Sequence, residues 1–221
     1  MGRQSARLLM SMILIGLGVV ILLSNLGLLP AGIVGSNWFA VVLFTILGGG
    51  FLVTFLGSPR GQWWAAIPAF TLLGLAYLVG NIWPASLPAF RWLGAAVFLG
   101  MIGLSFIVIL LVRPDQWWAI FPGGALLSVA GVVTVSGLLE GGRNAGLGAA
   151  AVLFLGLAVT FFLVFLRPVN GMRMVWALWP AGILAVIGVL LLLGFTSLIN
   201  YIWAVALILI GVWIISRGTR R

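Results

Sequence analysis

The chain has 221 residues, 64% of them hydrophobic and only 6% charged, with eleven basic residues against two acidic ones and a formal charge of +9. An ordinary soluble domain carries about 25% charged residues, so lipid rather than water must solvate most of this surface. The sequence contains no cysteine and no histidine. That excludes disulfides, thiolate nucleophiles and cysteine-ligated metals, and it removes the commonest general base and the usual haem ligand.

Crossing a hydrocarbon core of roughly 30 Å takes about 20 apolar residues in a helix. In chain order, eight segments meet that requirement: 8–29, 38–57, 63–83, 92–112, 117–139, 145–166, 174–194 and 199–216. The first follows Met1 to Arg7. It is too long for the apolar core of a secretory signal and lacks a small-x-small cleavage site, so a retained helix is expected. The separators carry turn chemistry, among them Ser58-Pro59-Arg60-Gly61, Arg113-Pro114-Asp115, Glu140-Gly141-Gly142-Arg143-Asn144 and Arg167-Pro168-Val169-Asn170-Gly171. None is long enough to hold a soluble domain. The expected fold is all-α: one polytopic transmembrane domain of eight helices.

A phrase recurs in step with these segments. Gln62-Trp63-Trp64-Ala65-Ala66-Ile67-Pro68 returns as Gln116-Trp117-Trp118-Ala119-Ile120-Phe121-Pro122, and a looser copy reads Val175-Trp176-Ala177-Leu178-Trp179-Pro180. Trp64, Trp118 and Trp176 each precede a proline by four residues, at spacings of 54 and 58. Two membrane helices with their turns consume about that length. Later helices share Leu99-Gly100, Leu155-Gly156 and Ile210-Gly211, with a looser Leu47-Gly48. Four helical hairpins are therefore expected, in units of about 1–58, 59–113, 114–168 and 169–221. With two helices each, all four point the same way, which disfavours the inverted repeats of many alternating-access transporters.

The arginines set the orientation. With both termini on one side, that side holds Arg3, Arg7, Arg60, Arg113, Arg167, Arg173, Arg217, Arg220 and Arg221, against only Arg91 and Arg143 opposite. Nine against two predicts cytoplasmic termini in an inner (plasma) membrane. Because the arginines sit singly between apolar spans, they read as a topology signal rather than a nucleic-acid surface.

Few residues carry chemistry. Trp63, Trp64, Trp117, Trp118 and Trp176 near one face, with Trp38, Trp83, Trp92 and Trp203 near the other, read as interfacial belts that keep the ring in the acyl boundary and the N–H wet. The competing reading is a stacking surface for a quinone, carotenoid or lipid. Pro68, Pro122 and Pro180 fall about a turn into their helices, where a missing N–H is expected to bend each helix alike. Small residues such as Gly148 and Gly156 favour close helix packing or self-association. The two acids, Asp115 and Glu140, lie in turns beside Arg113 and Arg143 and are expected to pair or cap locally, not to form a mid-membrane proton or cation site. The hydroxyls of the spans are expected to bond back onto their own helices.

The hairpin from Trp179-Pro180-Ala181-Gly182-Ile183-Leu184 through Trp203 to Leu207-Ile208-Leu209-Ile210-Gly211-Val212-Trp213 resembles the two-helix modules of LiaI/LiaF-type bacterial envelope-stress membrane proteins. The first hairpin, with Ile15-Gly16-Leu17-Gly18-Val19-Val20 and Asn25-Leu26-Gly27-Leu28, is similar. The resemblance implies a bacterial membrane-embedded role in an envelope-stress system. Together these readings lead to a non-enzymatic membrane protein without catalytic residues, metal or cofactor, acting as a scaffold or accessory subunit. Its expected partners are membrane lipids, other membrane proteins or further copies of itself. The alternatives are a small transporter or channel between the hairpins, and a binder of lipid, quinone or carotenoid.

Overall fold

The computed structural model describes residues 37–80, 92–139, 144–167 and 173–196, together with Gly142 and scattered positions within 16–26 and 201–210. Six α-helices lie in the continuous stretches: α1 (Asn37–Gly57), α2 (Ala66–Gly80), α3 (Trp92–Val112), α4 (Ile120–Leu138), α5 (Ala145–Leu166) and α6 (Leu178–Phe195). Short 3₁₀ turns at Trp63–Ala65, Trp117–Ala119 and Val175–Ala177 lead into α2, α4 and α6. With these turns included, all six are long and apolar enough to cross a membrane, and none contains a charged residue. They are apolar around their whole circumference, as lipid-embedded helices are. The protein is thus a multi-pass integral membrane protein on these six helices. The expected spans 8–29 and 199–216 lie mostly outside the described residues, although Gly16, Gly18, Val19, Leu22 and Leu23 in the first and Tyr201, Val205 and Leu207 to Ile210 in the last are helical.

The extensive helix contacts all join chain neighbours, so α1 to α6 form a serpentine, antiparallel run. Glycine decides how closely each pair approaches. A Cβ on Gly48 of α1 would meet the Leu73 side chain at 3.0 Å and the Ala69 carbonyl at 3.2 Å on α2. One on Gly103 of α3 would meet Leu127 at 2.9 Å and the Gly123 carbonyl at 3.2 Å on α4. Close approach through small residues lets dispersion act where lipid leaves no hydrophobic drive between helices. Gly100, which the Leu-Gly pattern singled out, has nothing within 4 Å of an added Cβ. The contact-forming counterpart of Gly48 is Gly103, almost one helical turn further on.

The prolines lie about a turn into their spans, as expected. Pro68, Pro122 and Pro180 each occupy the third position of α2, α4 and α6. In the first turn of a helix the absent N–H has no intrahelical bond to lose. Each proline thus lies just past the passage from 3₁₀ turn to α-helix.

Candidate functional site

The three Trp-containing copies adopt one local structure. In each, the amide of the turn's last alanine donates to the carbonyl three residues back: Ala65 to Gln62, Ala119 to Gln116 and Ala177 to Met174, all at 3.0 Å. Ala65, Ala119 and Ala177 are all completely buried. The residue after each proline (Ala69, Gly123 and Ala181) is small and buried as well. A larger side chain at any of these positions would hold the preceding helix away.

Tryptophan completes the junction. Trp64 meets Phe51 edge-on at 6.1 Å, Trp118 meets Phe106 at 6.1 Å, and Trp176 meets Phe161 at 6.3 Å, with ring planes 76°, 74° and 80° apart. Such edge-to-face pairs contribute about 0.5–1.5 kcal/mol beyond the area they bury. The phenylalanines recur every 55 residues, a period carried by the sequence itself. Phe55, Ile109 and Val164 are buried at the same level of α1, α3 and α5. The recurring contacts thus join α1 to α2, α3 to α4 and α5 to α6, across the arginine-bearing turns. Trp63 touches Trp118 at 6.4 Å, and Phe121 stacks on Trp176 at 6.4 Å, which links one junction to the next. Each indole still keeps 39–53% of its surface exposed at the helix ends, for Trp118, Trp64 and Trp176.

Asp115 pairs with Arg113 as expected. The guanidinium donates from Nε to Oδ1 at 2.9 Å and from Nη2 to Oδ2 at 2.8 Å, and its Nη1 reaches across to the Arg60 carbonyl at 2.8 Å. Gln116 donates to Asp115 at 3.2 Å and accepts from the Trp118 indole N–H at 2.6 Å. Two turns are thereby tied together and one indole is oriented. The hydrogen bond from Arg113 is the main reason the Asp115 carboxyl is held down at about 2, and the same bond raises the Arg113 guanidinium. Glu140, Arg91 and Arg143 lie outside the described residues.

Five hydroxyls within the spans close on their own helices: Thr54 on Gly50, Ser105 on Ile102, Ser128 on Gly124, Thr134 on Ala130 and Thr160 on Gly156, at 2.6–2.9 Å. Two of them build the α4–α5 contact. Gly124 faces Thr160, and Gly156 faces Ser128, so closely that an added Cβ on either glycine would overlap the opposing side chain. Each hydroxyl thus fits over a glycine on the neighbouring helix.

Beside that contact runs a groove of about 740 Å³ between α3, α4 and α5, a volume suited to a small lipophilic ligand. Its walls are aliphatic, including Leu110, Leu127, Val152, Val159 and Leu163, and Arg167 lies at one end as its single charged residue. The residues come from three helices and more than fifty positions of chain, so no local pattern announces the site. Comparison with known protein families, characterised proteins and solved structures finds no match to this chain.

Proposed function

We propose that this integral membrane protein is a non-enzymatic scaffold or accessory subunit of a bacterial membrane complex, with an envelope-stress system as the setting that its hairpin resemblance suggests. One observation supports the reading: the described carboxylate and five of the hydroxyls in the spans are already engaged in structure. Asp115 is held by Arg113 and Gln116 in a solvent-exposed turn, while Thr54, Ser105, Ser128, Thr134 and Thr160 donate to carbonyls of their own helices. The rest of the described helices is largely apolar surface, which serves binding.

In the same proposal the complete chain has eight spans in four same-facing hairpins, with the arginine-rich turns and both termini in the cytoplasm. Reporter fusions at Arg91 and Arg113 should fall on opposite sides of the membrane, and same-side placement would overturn that topology. For the scaffold role, the full chain is extracted in mild detergent and its copurifying proteins are identified by mass spectrometry. A stoichiometric membrane-protein partner is expected. A partner-free particle that catalyses solute flux in liposomes would establish a transporter instead.

A further inference from the structure

Arg113-Pro114-Asp115 and Arg167-Pro168-Val169 stand 54 residues apart at the ends of α3 and α5. In the first, all three guanidinium nitrogens are occupied within the protein. In the second, valine stands in sequence where the aspartate stood. The only other acid, Glu140, follows α4 beyond Leu138, whereas Arg167 follows α5 at the end where α4 begins. Among the described residues the ion pair formed is Arg113–Asp115. Arg167, only partly exposed, lines the apolar groove instead.

The groove extends along α5 from Arg167 to Val152, roughly 22 Å at the helical rise per residue, more than the half-thickness of a bilayer core of about 30 Å. Val159, Leu163 and Leu166 on its wall are 57%, 47% and 49% exposed, so the groove opens sideways towards acyl chains. A positive fork at the interface end of an apolar channel is complementary to a phosphate esterified to a fatty chain. We propose that this groove holds one anionic phospholipid, with an acyl chain along α5 and its phosphate on Arg167. The site depends on the six helices lying in a bilayer and is independent of any scaffold role.

Native mass spectrometry of the full chain, titrated in detergent with phosphatidylglycerol or with phosphatidylcholine of the same chains, tests it. The wild type should retain one phosphatidylglycerol in preference to phosphatidylcholine. Arg167→Gln should weaken that retention about tenfold, as expected for losing charge-assisted hydrogen bonds to a phosphate, and Arg167→Lys should recover part of it. Arg60→Gln, at the same end but outside the groove, should bind as the wild type does. Val159→Trp should abolish retention by filling the groove while Arg167 is still present. Equal retention of the two lipids, unchanged binding in Arg167→Gln, or equal weakening by Arg60→Gln would overturn the proposal.

Discussion

Arg113 and Arg167 each follow a membrane helix and precede a proline, yet one guanidinium folds back onto its own turn while the other lies at the end of an apolar groove. The packing beneath them is alike. Trp118 meets Phe106 below the first turn much as Trp176 meets Phe161 below the second, and Ala119 and Ala177 are equally buried. The turns themselves differ: the first carries Asp115 two residues after its arginine, whereas the second has Val169 there and runs four residues longer before Trp176 than the first does before Trp118. Helix spacing is set by small residues and aromatic edges that recur, so the polar tips of the turns are free to diverge. A turn that supplies its own carboxylate satisfies its arginine; for Arg167 the proposed partner is a lipid phosphate.

The shared packing can be broken first at its closest contact. Gly124→Ala and Gly156→Ala each drive a methyl group into the opposing hydroxyl residue, an overpacking that costs about 1–3 kcal/mol. Gly182→Ala on α6, where a Cβ meets nothing within 4 Å, should instead be neutral or stabilise by up to about 1 kcal/mol. Thermal unfolding in mild detergent reads both, and equal effects would remove glycine-mediated approach from the account. A smaller effect tests whether the junctions are equivalent. Phe51→Leu and Phe106→Leu should each lose about 0.5–1.5 kcal/mol from the edge-to-face pair, by similar amounts, and Phe161→Leu more, because Phe161 also meets Phe121 edge-on at 5.6 Å. A loss confined to one of them would mean that the three contacts only look alike.

The smallest effect concerns the self-satisfied turn. Asp115 is held at about 2 against an ordinary 3.8, so its pairing favours the folded turn above the unfolded value and is lost as pH falls through about 2. Because the pair is exposed, solvent screens it and the thermal midpoint should hardly change at neutral pH. The site-specific readout is the carboxyl resonance of Asp115, titrating near 2 in the wild type and at clearly higher pH in Arg113→Gln. A midpoint near 3.8 in both proteins would show that the clasp does not form in solution.

Much of this architecture is readable from the residues, because the length and purity of an apolar run are local properties. The six described helices fall within a few residues of the expected spans, and α3 and α5 coincide with 92–112 and 145–166. The Asp115–Arg113 pair was legible for the same reason, being two residues apart. Contacts between helices were not. Glycine is spread over every face of these helices, so the sequence alone does not separate Gly103, which touches α4, from Gly100, which touches nothing. The groove needed the relative placement of three helices, which apolar sequences with no amphipathic face leave unspecified.

The contrast between the two arginines is tested most directly by measuring phosphatidylglycerol affinity for Arg113→Gln and Arg167→Gln side by side in the same detergent. The predicted result is wild-type affinity for Arg113→Gln and about tenfold weaker binding for Arg167→Gln. Equal loss in both variants, or loss in Arg113→Gln alone, would contradict the assignment of one arginine to the protein's own turn and the other to lipid.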